Sequence, residues 1–177
     1  MKRLAKRGFT LVEIMIVVAI IALLAAIAIP NVLRGRTTAN ESAAIGNLRA
    51  LVSSLEMYQS VNNVYPNTGG NWNAVMYNGT NQPEPDFGPP SFSHAMDNSA
   101  CPAAVGNSCT QGYRYNYVSA SGTTYTIAGT PNDIGTTGTR SFYVDSSGVI
   151  RHCLSAAGGN VATAASPTID APVANCP

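Results

Sequence analysis

The sequence predicts an α+β fold in which one long N-terminal helix packs on a small antiparallel sheet. Three observations favour this class: an apolar run from Phe9 to Ile29, apolar residues at helical spacing that continue to about Val61, and short alternating segments between turn residues over 113–153. The predicted parts are, in order, a leader (1–8), a membrane helix (9–29), an amphipathic continuation of the same helix (30–61) and a globular head (62–177).

The basic residues of the chain are concentrated at its N-terminus. Four of the ten lie in the first seven residues: Lys2, Arg3, Lys6 and Arg7. Beyond residue 8 the chain has no lysine, and its six arginines are dispersed among nine acidic residues. This part therefore has no P-loop lysine and no Schiff-base lysine. It also lacks the basic stripe of a nucleic-acid-binding domain, so we expect no sequence-specific nucleic acid partner.

The apolar run from Phe9 to Ile29 is long enough to cross a bilayer. Its 21 residues cover roughly 30 Å at a helical rise of ~1.5 Å per residue. The basic residues before it predict a cytoplasmic N-terminus and export of everything beyond Pro30. All four cysteines lie in this exported part, where disulfides can form. An alternative is a cleavable secretory signal that ends at Ala26-Ile27-Ala28.

Glu13 is the acidic residue within this apolar run. An ionised carboxylate costs ~2.5 to 3.5 kcal/mol at the centre of a membrane helix, and less near the end where Glu13 lies. The acid therefore needs a partner, which predicts a functional role. A secretory signal gains nothing from such an acid, so Glu13 argues against that alternative.

Residues 7–13, RGFTLVE, resemble the processing site of the type IV pilins and of the type II secretion pseudopilins. The resemblance covers residues 1–61 strongly and the remainder in general layout. It implies cleavage between Gly8 and Phe9 by a prepilin peptidase, N-methylation of Phe9, and assembly of identical subunits through the apolar helix. It also implies that Glu13 pairs with the N-terminal amine of a neighbouring subunit. Such a pair would set the axial register, because a wrong offset leaves two charges unpaired.

Pro30 divides the predicted helix into two halves. It removes one helical hydrogen bond and strains the carbonyl of Ala26, which predicts a kink or a loosened turn, with a simple kink in an intact helix as the alternative. Beyond it, an apolar stripe should anchor the head to the helix. The stripe comprises Ala44, Ile45, Leu48, Leu51, Val52, Leu55 and Tyr58.

The head is predicted as a connecting loop (62–112), an antiparallel sheet (113–153) and a C-terminal loop (154–177). Residues 62–100 are rich in Asn, Pro and Gly, which predicts a loop. Its aromatic residues should pack on the head: Trp72, Tyr77, Phe87 and Phe92. Two hairpins are predicted from strands at 113–118, 123–128, 140–144 and 149–153. Alternate residues should divide between the helix-facing and solvent-facing sides, among them Tyr115, Tyr117, Ile127, Phe142 and Val144.

Four cysteines allow three pairings. We favour Cys101 with Cys109 and Cys153 with Cys176, and the alternative is that one or both pairs are reduced or joined otherwise. The resemblance supports the second pairing in kind, because many pilins close a C-terminal loop with a disulfide.

The chain contains no nucleophile elbow, zinc-binding HExxH, CxxC pair, phosphate-binding glycine loop or dinucleotide fingerprint. We therefore expect neither an enzyme nor a cofactor. His94 and His152 lack a spaced partner, so no metal site is predicted. The calcium site of major pseudopilins is not expected either, because Asp133, Asp145 and Asp170 are isolated. This favours a pilus.

The sequence thus predicts a structural subunit of a type IV pilus-like surface filament. Its expected partners are identical subunits, the prepilin peptidase and methyltransferase, an inner-membrane assembly platform, and the membrane itself before assembly. It should lie in the inner membrane with a cytoplasmic N-terminus and later in an extracellular pilus. Alternatives are a type II secretion pseudopilin in a periplasmic pseudopilus, and a monomeric anchored binding protein, against which Glu13 argues.

Overall fold

A computed structural model describes residues 9–66, 76, 87–88, 110–119, 121–155 and 161–176. One helix precedes four strands: α1 (Leu11–Asn62), β1 (Tyr113–Val118), β2 (Thr126–Pro131), β3 (Arg140–Asp145) and β4 (Arg151–Leu154). The predicted α+β class, a long N-terminal helix packed on a small antiparallel sheet, is confirmed. The predictions for Trp72, Tyr77 and Phe92 lie outside the described residues.

The four strands form one sheet in the order β1-β2-β3-β4, and each pairs antiparallel with the next. β2 begins and ends three residues later than the sequence predicted. The reason lies in the turn before it, where Gly122 has a positive φ of 70° and its carbonyl accepts the Tyr65 amide at 2.7 Å. The chain there binds the segment that follows α1, so pairing begins only at Thr126, opposite Val118.

The five residues expected to divide between the two faces of the sheet are all buried, so that expectation was wrong. The register explains why, because residues directly opposite each other in neighbouring strands share a face. Tyr117, Ile127 and Val144 form one such row, and Tyr115, Gly129 and Phe142 form the next. In the second row Gly129 leaves room for the Tyr115 ring, whose Cε1 would lie 3.3 Å from an added Cβ.

The core lies between the face of the sheet that carries these two rows and the second half of α1. The predicted helix stripe is confirmed, since its inward positions Ala44, Leu48, Leu51 and Leu55 are 0% exposed. Each buried leucine of this kind contributes ~1.5 to 3 kcal/mol relative to an exposed one. The sheet contributes six side chains to the same core: Tyr113, Tyr115, Tyr117, Ile127, Phe142 and Val144.

Phe87 packs against the hydrophobic core of the head, as predicted. Its ring meets Tyr58 edge-on, with the ring centroids 5.2 Å apart. Its backbone amide donates to the Met76 carbonyl at 2.9 Å, and Met76 is itself buried in the core.

The C-terminal segment (161–176) covers the free edge of β4. The His152 amide donates to Pro167 O at 2.8 Å, Leu154 N donates to Ala174 O at 2.8 Å, and Ile169 N donates back to Ile150 O at 3.2 Å. These bonds satisfy backbone groups that an open sheet edge would leave unpaired.

The predicted disulfide between Cys153 and Cys176 is present and closes this segment. Ser141 lies beside it on β3, and its hydroxyl is 3.3 Å from each of the two sulfur atoms. The same hydroxyl accepts the Ala162 amide at 2.9 Å. Cys101 and Cys109 lie outside the described residues, so their pairing stays a prediction.

The chain divides into two compact units, Met1–Arg36 and Thr37–Pro177. The sheet and every residue of the hydrophobic core belong to the second unit.

Candidate assembly site

The first unit contributes the apolar half of α1. By length and composition, α1 is a helix that could cross a membrane. Its large apolar side chains from Leu11 to Leu33 are exposed, at 50% or more of their surface. Phe9, the predicted methylation site, is 85% exposed, and Gly8 lies outside the described residues.

Glu13 takes part in a capping box at the start of α1. The Glu13 carboxylate accepts the Thr10 amide at 2.7 Å and the Thr10 hydroxyl at 2.8 Å, both through Oε2. In return, Thr10 Oγ1 accepts the Glu13 amide at 3.2 Å. This is the reciprocal arrangement of an N-cap threonine with a glutamate three positions later. It explains why α1 begins at Leu11 rather than at the predicted Phe9.

The sequence analysis did not predict this capping box, although its signal, Thr-x-x-Glu, lies within residues 7–13, RGFTLVE. The acid was expected to depend on a partner from outside the chain, whereas part of its hydrogen-bonding need is met by Thr10. Both bonds use Oε2, and Oε1 makes no hydrogen bond to the residues that the structure describes. The carboxylate thus has acceptor capacity left for a second donor.

Pro30 lies inside α1, which continues through it without a break. Proline cannot donate to the Ala26 carbonyl. One residue later, the Asn31 side chain donates to the carbonyl of Ile27 at 3.1 Å. A polar side chain therefore bonds to the backbone one turn back, next to the position that the proline leaves without a donor. The kink at Pro30 stays a prediction.

In the second unit, Glu41 and Arg140 join α1 to β3. Glu41 is 6% exposed, and its Oε1 accepts from the Thr139 amide and the Thr139 hydroxyl, both at 2.8 Å. Arg140 Nε donates to Glu41 Oε2 at 2.8 Å. Burial by itself raises the pKa of Glu41, but these hydrogen bonds outweigh it and hold the pKa below its ordinary value of 4.5. No local pattern indicates this pair, because its members are 99 residues apart.

Asp133, Asp145 and Asp170 lie in three different parts of the head and do not form one site. The Asp133 carbonyl accepts the amides of Thr136 and Thr137 in the turn before β3. The Asp145 side chain accepts the Ser147 amide at 2.9 Å in the β3–β4 turn. Asp170 is exposed in the C-terminal segment. The residues that the structure describes include no group of three or more His, Cys, Asp or Glu that could hold a metal.

Comparison with known proteins finds a family match for the N-terminal part of the chain. Residues 3–29 match the family described as the prokaryotic N-terminal methylation motif. These residues form a prepilin motif. It includes the RGFTLVE segment and the capping box, so the resemblance to pilins and pseudopilins that the sequence predicted is confirmed.

The chain is similar to proteins of both classes. The chain is 40% identical over 80 residues to the type II secretion system core protein G of Pectobacterium carotovorum, covering 45% of this chain and 51% of that protein. It is 41% identical over 86 residues to the protein of the same name from Vibrio cholerae, covering 48% and 58%. It is 51% identical over 59 residues to the type IV wide pilus major component PilA4 of Thermus thermophilus, covering 33% and 45%.

The chain thus covers only about half of the length of these relatives. No solved structure matches the chain significantly.

Proposed function

We propose that this protein is a structural subunit of a pilin-type filament and not an enzyme. It is made as a precursor, cleaved between Gly8 and Phe9, N-methylated at Phe9 and polymerised with identical subunits. The observation that carries the proposal is the prepilin motif on a capped helix whose apolar side chains are exposed around its first half.

These exposed side chains need a non-aqueous environment. A contiguous apolar surface of this size marks a membrane or protein interaction site. Before assembly the lipid bilayer covers the helix, and in the filament the helices of neighbouring subunits take its place. The N-terminal basic residues support a cytoplasmic N-terminus in the inner membrane. The processing enzyme and a membrane assembly platform are the other partners that this route requires.

Glu13 has a specific task in this scheme. Cleavage after Gly8 creates an amine at Phe9, and the Glu13 of a neighbouring subunit offers a carboxylate with one oxygen not used by its own cap. Pairing of the two neutralises both charges in an apolar filament core. A subunit at a wrong axial offset would leave both charges unpaired, so the pair selects the register.

A type II secretion pseudopilin is the second candidate. Two relatives named core protein G match the chain over 80 and 86 residues, which is longer than the 59 residues matched by the pilus component. A pseudopilus would stay in the periplasm and serve secretion, whereas a pilus extends from the cell surface.

The experiment that separates the two is the isolation of filaments sheared from the cell surface, followed by mass spectrometry of their subunits. We expect a subunit that begins with N-methylated Phe9. A deletion strain that loses protein secretion but has unchanged surface filaments would establish the pseudopilin instead. A mature chain that begins after Ala28 would overturn both, because it would identify residues 1–28 as a secretory signal.

Two substitutions separate the cap from the charge. Glu13→Val removes both, whereas Glu13→Gln keeps an acceptor that can form the capping box and removes only the negative charge. We expect both variants to insert in the membrane and to yield less than about a tenth of the wild-type filaments. If the Gln variant assembles normally, the intersubunit charge pair is wrong and the capping role alone remains.

A further inference from the structure

A buried histidine lies where β3, β4 and the C-terminal segment meet. The His152 residue is 2% exposed, and its register partner is Phe142, so the side chain is on the helix-facing side of the sheet. His152 Nδ1 lies 3.3 Å from Arg140 Nη1. The Arg140 guanidinium is held in place by Glu41, 2.8 Å from Nε, and its Cζ lies 5.6 Å from the centroid of the Phe142 ring.

This neighbour determines which nitrogen of the ring carries the proton. A guanidinium only donates hydrogen bonds, so His152 Nδ1 accepts and the neutral ring carries its proton on Nε2. Nε2 is buried without a well-formed hydrogen bond. The backbone of Ala171, in the C-terminal segment, acts in the opposite direction to Arg140 and favours the protonated ring.

A second proton would have to bind Nδ1, where it would point at the guanidinium. Two cations and two donors would then face each other, with the His152 ring buried and the Arg140 side chain partly exposed. Arg140 cannot turn away without leaving the Glu41 carboxylate. Burial and the Arg140 charge lower the pKa of His152 below its ordinary value of 6.5.

The other ionisable groups around His152 do not relieve this conflict. From α1, Glu41 faces the pair, and its carboxylate favours the protonated ring only weakly. From β1, the Tyr113 hydroxyl donates to the Arg140 carbonyl at 2.8 Å. From the C-terminal segment, the charged group is Asp170, which is exposed.

We propose that His152 is a latch that holds the C-terminal segment against β4 at neutral pH and releases it in mild acid. The bonds that open are those from His152 N to Pro167 O and from Ile169 N to Ile150 O. The segment yields rather than the strand, because β4 pairs with β3 over four residue pairs whereas the segment forms only isolated bridges. The Cys153–Cys176 disulfide keeps the far end attached, so release opens a loop without detaching it.

The direction of the pH effect follows from the difference in the pKa of His152 between the latched and the released state. In the released state His152 is hydrated and has its ordinary pKa of 6.5, and in the latched state the pKa is lower. The released state therefore binds the proton more tightly. Its population relative to the latched state rises as the pH falls below 6.5, by at most about tenfold per pH unit, and levels off below the lowered pKa.

Amide hydrogen exchange on the full-length protein in detergent micelles tests the latch. Protection factors at pH 7.5, 6.5 and 5.5 should fall for the amides of His152 and Ile169, by up to about fivefold between pH 6.5 and pH 5.5. Those of β2 amides such as Ile127 should change less than twofold. Nitrogen shifts of the His152 ring should report the Nε2-protonated tautomer at pH 7.5.

Two variants provide the controls. His152→Asn places an amide oxygen near the position of Nδ1 and cannot titrate, so its protection should not change between pH 6.5 and 5.5. His94→Gln removes the other histidine of the chain and should keep the wild-type response. The latch is overturned if wild-type protection is constant, if all strands lose protection together, or if the ring is protonated on Nδ1 at pH 7.5. The hydrogen exchange and the ring nitrogen shifts of the wild-type protein test the latch even if His152→Asn fails to fold.

Discussion

Glu41 keeps its charge inside the head because four donors converge on its carboxylate. They are the Thr139 amide and hydroxyl and the Arg140 amide and Nε. A carboxylate that accepts this many bonds is stabilised in its ionised form although it is buried. The pair also fixes the start of β3 to α1, so it links an element of the sheet to the helix.

Replacement of Glu41 should be costly. In Glu41→Gln, an amide NH₂ group meets backbone and side-chain donors, and Arg140 loses its counter-ion. Because Arg140 is partly exposed, we expect a loss of about 2 to 3 kcal/mol in the free energy of unfolding, at the low end for a broken buried pair. Chemical denaturation of the detergent-solubilised protein measures it. The matched control is Glu56→Gln, at an exposed acid that accepts one bond from the Tyr65 hydroxyl, with an expected loss below about 1 kcal/mol. Equal losses in both variants would contradict this prediction.

Glu41 should also make the free energy of unfolding depend on pH in the acidic range. The pKa of Glu41 is lower in the folded state than its ordinary value of 4.5, so the unfolded chain binds the proton more tightly. The stabilisation is fully present above about pH 4.5 and is lost as the pH falls through the lowered folded value. Unfolding free energies measured from pH 6 to pH 3 should decline in the wild type, and Glu41→Gln should show a shallower decline. Parallel curves for the two proteins would assign the acid sensitivity to other groups.

Single residues were predictable from the sequence only where their signal is local. Gly8, Phe9 and Glu13 stand within one short motif, and the capping box could have been found from the same letters. Glu41 occupies the next inward position before Ala44 on the helix stripe, but a charged residue there resembles the end of the stripe. Only the fold brings Arg140 to it.

At the scale of elements, the turn between β2 and β3 is tightly constrained at Gly138. Gly138 lies against the Tyr113 side chain, and an added Cβ would overlap the hydroxyl group and lie 2.9 Å from Cε2. The ring cannot yield easily, because Tyr113 is 0% exposed and its hydroxyl is bonded to Arg140 O.

Gly138→Ala should therefore destabilise the head, by about 1 to 3 kcal/mol, as overpacking does in other cores. The matched control is Gly46→Ala in α1, where an added Cβ meets nothing within 4 Å. Alanine there should increase the free energy of unfolding by about 0.5 to 1 kcal/mol, because it lowers the backbone entropy of the unfolded chain. Opposite signs in one denaturation assay are expected, and a neutral Gly138→Ala would show that the ring can move.

The disulfide should stabilise the C-terminal segment strongly. The paired cysteines are separated by 23 residues, and a loop of that size is worth about 3 kcal/mol in the chain-entropy model. In the double variant Cys153→Ala and Cys176→Ala, the melting temperature should fall. Hydrogen exchange should increase first at the amides of Leu154 and Ile169. If exchange increases equally in β1 and β2, the disulfide supports the whole head rather than this edge.

The elements themselves follow from the sequence where a pattern is regular and flanked by turn residues. The Tyr-x-Tyr-x-Tyr alternation placed β1 correctly, and the helical spacing placed the buried stripe of α1. The start of β2 could not be predicted, because it depends on the bond between the Tyr65 amide and the Gly122 carbonyl across distant parts of the chain. Tyr115 and Tyr117 share a face, and so do Phe142 and Val144, because side chains alternate along a strand. That these two pairs and Ile127 lie on the same face depends on strand register, which no single strand reveals.

For the whole molecule, the two units should be separable. The core residues all follow Thr37, and so do the Glu41–Arg140 pair and the disulfide. A chain that begins at Thr37 should therefore be soluble without detergent and unfold cooperatively. Circular dichroism and sedimentation measure this. A chain that begins at Ser53 lacks Glu41, Ala44 and Leu48 and should not fold. Failure of the longer chain to fold would mean that the head depends on residues 1–36.

If the head crosses the membrane as proposed, the edge of β4 is the last part of the described sheet to be closed. The segment that closes this edge follows every described strand in the sequence, so β4 keeps an unpaired edge until residues 161–176 have emerged. The Cys153–Cys176 bond can form only after that. In that scheme, completion of the head is a late step.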